Sequence, residues 1–331
     1  MIEKWRGFFF CQSLQYYPQT YFWSEDKGVT WKPWNYPTHP FINNASNHDG
    51  SMILGGAEAG YIWNGDYSTR PKFRYSTDHG KLWTEALLPL AGGNSTYSVW
   101  GSSFVNDKFY IAGRGLSGAD SWPLLESSDG LTWTQVPISS VSVFSPPTWD
   151  GITVTYTGQS SFYSYTYYTT GSGWSVSPHG MMSLYGGVWY KGEYWVGGGG
   201  FGKVDLNTGT FTLVDPSLCT RLIVHDDSIF GFWAVPTADF AGLANYFRWD
   251  GNSITYHTAP IKVARVVYGD GTFIIGNVFG PLGLWYSHDG INWTQATPPT
   301  PTDFFLPTSI AFVPNGLIRG GWHIGSIGVG G

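Results

Sequence analysis

Hydrolysis of a glycosidic bond by acid–base catalysis needs two carboxyl groups about 5 to 10 Å apart. Glu58, Asp66 and Asp120 are the carboxylates that could supply such a pair. They lie in two long stretches, GAEAGYIWNGDYSTRPK (56–72) and GRGLSGADSWP (113–123), together with Tyr61, Trp63, Tyr67 and Arg70 in the first and Arg114 and Trp122 in the second. Aromatic faces stack on sugars or apolar side chains, while Asp, Asn and Arg orient a ligand through hydrogen bonds. These residues therefore suit a glycan or protein binding site as well as a hydrolase. A third stretch, AVPTADFAGLAN (234–245), is longer than a simple connection needs. The alternative for all three is packing on one another or on a neighbouring subunit. No Ser-His-Asp spacing, zinc motif or phosphate loop appears, and His48 and His225 stand in turn-like stretches.

Composition narrows the classes further. The 331 residues carry a formal charge of −6, with 18% aromatic and 12% charged residues, 45 Gly and 18 Trp. The charged share is about half that of an ordinary soluble domain. No cluster of Lys and Arg tracks a phosphate backbone, so nucleic acid is not an expected partner. The run MIEKWRGFFFCQ at residues 1–12 is too short for a secretory h-region and has no cleavage site behind it. No apolar stretch has the length of a membrane span, so membrane insertion is not expected. Cys11 and Cys219, far apart, make neither a zinc site nor an obligatory disulfide and are expected to be reduced and buried. No cofactor or metal is called for.

These groups must be positioned by strands. Runs rich in Val, Ile, Tyr, Phe, Trp and Thr recur between small polar turns, and no stretch keeps a capped helical period. Two kinds of turn alternate. Inner hairpins are expected at His48-Asp49-Gly50, Asn106-Asp107, Trp149-Asp150-Gly151, Lys191-Gly192, His225-Asp226-Asp227, Gly269-Asp270-Gly271 and Pro314-Asn315-Gly316. Outer turns are expected at Asp26-Lys27-Gly28, Asp78-His79-Gly80, Asp129-Gly130, Gly171-Ser172-Gly173, Asn207-Thr208-Gly209, Asp250-Gly251 and Asp289-Gly290. Asp, Asn and Gly tolerate the positive φ that tight hairpins require.

The alternation predicts one all-β domain over 1–331: a seven-bladed β-propeller of four-stranded antiparallel blades with a period of about 36 to 52 residues. One blade is then closed by both termini, with Ser309–Trp322 and Tyr21–Trp34 sharing a sheet, and the strand-like Gly7–Gln12 is surplus to this count. Aligned on the inner hairpins, Asn44, Ser145, Arg221, Arg265 and Ile310 fall in one register of the channel-lining first strands. Arg is seldom buried unpaired. Two arginines in one channel imply a bound anion, a carboxylate, a water-filled bore, or ion pairs with Asp226 or Asp270.

Four of the outer turns share a pattern, Ser-x-Asp-(x)-Gly-x-x-Trp: Ser24, Asp26, Gly28 and Trp31; Ser76, Asp78, Gly80 and Trp83; Ser127, Asp129, Gly130 and Trp133; Ser287, Asp289, Gly290 and Trp293. This resembles the Asp-box, or bacterial neuraminidase repeat, of sialidases, sortilin-type receptors, some glycoside hydrolases, a photosystem assembly factor and assorted viral proteins. The resemblance implies a propeller in which the motif caps the turn between third and fourth strands, on the face opposite the usual ligand site. The four aspartates are then turn locks and not acids or bases. A sialidase would further need three clamping arginines, a Tyr–Glu pair, an Asp acid and an Arg-Ile-Pro segment. TRPKF at 69–73 lacks the Ile, and only Glu58 and Glu193 remain as candidate glutamates. The expected function is a non-enzymatic binding or assembly module, such as a phage tail adhesin or capsid decoration protein, that recognises a cell-surface glycan or neighbouring virion proteins. The alternative is a glycan-cleaving hydrolase of the same fold.

Overall fold

The computed structural model describes residues 8–13, 20–24, 26–34, 43–46, 52–56, 73–77, 84–86, 97–115, 124–137, 142–143, 147–160, 163–171, 173–178, 184–233, 245–263, 265–276, 283–297 and 307–313. Every regular element among them is a strand. β-branched and aromatic residues in short alternating runs favour this, because their side chains pack on a pleated surface.

The strands pair antiparallel into seven separate sheets. Sheet I joins Phe8–Ser13, Thr20–Ser24 and Lys32–Trp34 to Pro307–Val313; sheet II runs from Asn43–Ser46 to Thr84–Ala86, and sheet III from Tyr97–Val105 to Thr134–Gln135. Sheet IV runs from Ser142–Val143 to Ser175–Pro178, sheet V from Leu184–Tyr190 to Thr210–Asp215, sheet VI from Arg221–His225 to Ile254–His257, and sheet VII from Arg265–Gly269 to Thr294–Gln295. First strands stand side by side: Asn43–Ser46 next to Tyr97–Val105, Leu184–Tyr190 next to Arg221–His225, and Pro307–Val313 between Arg265–Gly269 and Asn43–Ser46. The arrangement is a propeller-like ring.

Two features of the expected fold are corrected. The blades are not uniformly four-stranded, since sheet IV has five strands: Ser142–Val143 and Thr148–Trp149 both pair with Val154–Ser160. The sequence between them contains Pro146-Pro147, which has no N–H to donate to a ladder, so one inner strand becomes two. The closing sheet also differs from expectation. Phe8–Ser13 is not surplus; it pairs with Pro307–Val313 on one side and Thr20–Ser24 on the other. The N-terminal strand thus fills the place assigned to the segment after Pro314-Asn315-Gly316, which lies outside the described residues.

The core sits in the seams between sheets. Between V and VI, Val188, Trp195, Phe201, Leu222, Phe247 and Trp249 are buried together, with the Trp195 and Trp249 rings 4.0 Å apart. Between VI and VII, Ile223, Phe230, Phe232, Val266 and Phe273 do the same. Gly231 makes room for this packing, because a Cβ there would come within 2.2 Å of the Phe247 ring. Cys219 is fully buried in the V–VI seam, and burial pushes its thiol up to about 12. The Cys11 side chain lies outside the description.

Candidate functional site

Strand order gives the ring two faces. Turns joining first to second and third to fourth strands emerge on one face; connections from second to third strand and from sheet to sheet emerge on the other. The Asp-box-like turns all fall between third and fourth strands.

Their geometry explains their residue types. In sheet I the Asp26 carboxylate accepts bonds from the Ser24 hydroxyl and the Thr30 N–H, each 2.8 Å, while Gly28 N–H donates to Ser24 Oγ at 2.8 Å and Trp31 Nε1 donates to Gly28 O at 2.9 Å. Gly28 has φ +83°, and a Cβ there would collide with Ile274 of sheet VII. Sheet III repeats the plan: Leu131 and Thr132 N–H groups donate to Asp129 at 2.8 and 2.7 Å, and Trp133 Nε1 donates to Gly130 O at 3.2 Å. In sheet VII, Ile291 and Asn292 donate to Asp289, but Trp293 turns its Nε1 to the Tyr246 hydroxyl of sheet VI, 3.1 Å away. Ser24, Ser76, Ser127 and Ser287 are all buried; Asp78, Gly80 and Trp83 lie outside the described residues.

Hydrogen bonds to a carboxylate favour its charged form. The Thr132 and Leu131 N–H groups hold Asp129 down at about 2. Burial works against ionisation at Asp289 and Asp26, yet the turn bonds outweigh it and both stay below the usual carboxylate range. Groups so fixed are poor proton carriers. Sequence reading missed that Asp205, Asp250 and Asp150 make the same lock, each accepting from the N–H groups two and three residues on. The available signal was an Asp at a strand end three places before a Ser or Thr.

Three of the candidate ligand residues, Arg114, Arg221 and Arg265, stand at strand ends on the opposite rim. Arg221 and Arg265 open the first strands of sheets VI and VII at equivalent positions, opposite Phe232 and Gly276. Alternation puts Arg221 on the side of Ile223, toward sheet VII, and Arg265 on the side of Val267, toward sheet I. They occupy adjacent seams at one rim. Burial and then the nearby Arg265 charge lower the half-buried Arg221 guanidinium to about 10. The expected ion pairs with Asp226 and Asp270 do not fit, because those groups stand at the far ends of the two strands, Asp226 at 3.4 Å from His225 and Asp270 at 3.4 Å from Lys27. Arg114 is next to last in Lys108–Gly115, opposite Ser98, and so reaches the same rim by strand order.

Tyr61, Trp63, Tyr67, Arg70, Asp120 and Trp122, with Glu58 and Asp66, lie outside the described residues. The strands flanking them, Ile53–Gly56 with Phe73–Ser76 and Lys108–Gly115 with Leu125–Ser127, end and begin at this rim. Among the described side chains the carboxylate at this rim is Asp215. It accepts from the Tyr256 hydroxyl at 2.6 Å and Ser217 N–H at 2.7 Å; burial acts to raise it, but these bonds keep it low. Among the described residues no group of three or more His, Cys, Asp or Glu could hold a metal ion, and no helix is long and apolar enough to cross a membrane.

No protein-family model matches the chain, and no curated protein matches it. Among solved structures the chain is similar to YCF48 bound to D1 peptide, with a TM-score of 0.57 and 15% identity over 96% of this chain and 97% of that one. This likeness shows the β-propeller fold. A Niastella koreensis GH74 enzyme also matches, with a TM-score of 0.38 and 14% identity over 93% of this chain and 63% of that one.

Proposed function

We propose that the chain is a binding or assembly module, without catalysis of its own, that engages its partner on the rim opposite the Asp-box-like turns. The observation that carries this reading is the placement of Arg221 and Arg265 at equivalent first-strand positions on one rim, near enough that the Arg265 charge bears on Arg221. Two guanidinium groups so placed favour an anionic contact, and Arg suits carboxylate recognition through its fixed fork of donors. A protein segment bearing carboxylates is the partner best matched, and the peptide complex of the similar propeller supports that choice. The narrower form, a phage virion component recognising a surface glycan or a neighbouring structural protein, is supported by the low charge and the wealth of Gly, Tyr and Trp.

Wild type and the Arg221→Gln/Arg265→Gln variant are to be compared on one array of acidic peptides and one of glycans. The expected result is a peptide ligand held by wild type and weakened at least about tenfold in the variant, as loss of a charged hot spot gives, with unchanged melting. Equal binding by both proteins would contradict the proposal. So would glycan turnover abolished by Glu58→Gln or Asp66→Asn, which would make the chain a hydrolase.

A further inference from the structure

Exposed apolar side chains are not spread evenly over the ring. Of the eight large ones that stand well exposed among the described residues, Leu213, Val214, Leu218 and Tyr256 belong to one corner, where the last strand of sheet V is tied to the last strand of sheet VI. Pro216, in the same run of sequence, is exposed as well. Single exposed apolar residues need no explanation, but a group of them around a polar centre marks a contact with another molecule.

The polar centre is a carboxylate. Asp215 accepts from Ser217 N–H at 2.7 Å through Oδ1 and from the Tyr256 hydroxyl at 2.6 Å through Oδ2, and the Ser217 hydroxyl lies 3.0 Å from the same phenol oxygen. Burial acts to raise Asp215, but these bonds keep it in its charged form. Among the described residues no Lys or Arg forms an ion pair with it. Each of its oxygens has a second lone pair, so the group can still accept a fork of two donors. Tyr256 is fixed in advance, its hydroxyl tied to sheet V and its ring set edge-on to the buried Phe247 ring at 6.5 Å, yet it remains half exposed. A side chain already immobilised loses little freedom when a partner covers it.

We propose that this corner docks a protein segment carrying an arginine between apolar residues, with the guanidinium lying on the Tyr256 ring and donating to Asp215. Arginine answers both features at once, because its plane stacks on an aromatic face while its forked N–H groups match a carboxylate. Lysine offers only a point charge. Leu213, Val214 and Leu218 receive the apolar neighbours of that arginine. A sugar would use the Tyr256 face but would leave the aliphatic side chains and the negative charge without counterparts. The corner lies on the outermost strands of sheets V and VI, whereas Arg221 and Arg265 open innermost strands, so it is a second surface that selects the opposite charge.

The full-length protein is titrated with two panels of fluorophore-labelled octapeptides, identical except that a central arginine between apolar residues in one is citrulline, its uncharged isostere, in the other. Wild type should bind the arginine peptides at least about tenfold more tightly than their citrulline counterparts, the loss expected of one hot-spot side chain. Asp215→Asn should remove most of that difference, and Arg221→Gln/Arg265→Gln should leave it intact. A benzophenone-bearing copy of the tightest peptide locates the contact without any substitution in the protein, and its crosslinks should fall within residues 213–218 or at Tyr256. Equal binding of the two panels, or binding of neither, would overturn the proposal, as would crosslinks confined to other sheets. A glycan held by wild type and released by Tyr256→Ala would assign the corner to sugars and overturn it too.

Discussion

At the scale of single residues, the aspartates of the outer turns are acids that the fold has withdrawn from chemistry. Asp129 is held at about 2, below its ordinary 3.8, mainly by the Thr132 and Leu131 N–H groups. A depressed folded-state value means that its stabilisation is present above the ordinary value and is lost as pH falls from about 4 through about 2. Asp26, Asp205, Asp250 and Asp289 shift in the same direction, so their effects accumulate. Denaturant midpoints should therefore fall steeply below pH 4, and Asp129→Asn should show a shallower fall than wild type. Parallel acid curves for the two proteins would contradict the turn-lock role. At neutral pH, Asp129→Ala should cost about 1 kcal/mol, below the usual range for charged hydrogen bonds because the group is well solvated. Trp31 is different, being 3% exposed and packed against Val267, Ile274 and Leu284 of sheet VII. Trp31→Ala should cost about 3 to 5 kcal/mol in equilibrium unfolding. A loss below about 1 kcal/mol would show that the sheet I to VII seam contributes little.

Elements show what the sequence could and could not tell. Turn chemistry was legible because Asn106-Asp107, Lys191-Gly192 and Asp270-Gly271 are residues that accept positive φ, and each does so between first and second strands. Pro314-Asn315-Gly316 carried the same local signal, but the second strand of that sheet comes from residues 8–13. Local turn propensity does not reveal which distant strand wins a pairing. Pro146-Pro147 was visible in the sequence, yet its effect on the number of strands depended on the ladder it interrupts. Gly231 likewise carries no local mark; only the Phe247 ring beside it makes the missing Cβ necessary. Gly231→Ala should cost about 1 to 3 kcal/mol through overpacking. Thermal melts of this variant that match wild type would show that the V–VI seam yields more readily than its close packing implies.

The candidate site belongs to the whole molecule, since no single sheet contains it. Spacing placed Arg221 and Arg265 in a common register, and the ring makes that register one rim by packing sheets VI and VII together through Ile223 and Val266. The side to which each arginine leans was not legible, because it depends on which neighbouring sheet Ile223 and Val267 pack against. On the proposed reading the two faces divide the work: among the described residues one carries the locked turns, the other Arg221 and Arg265. Hydrogen–deuterium exchange of the full-length chain with and without its bound partner tests this division most directly. Protection should appear at the strand starts at Arg221 and Arg265 and at the strand end that carries Arg114, and the turns at Asp26, Asp129 and Asp289 should exchange as in the free chain. Protection centred on those turns, with the arginine rim unchanged, would contradict the account.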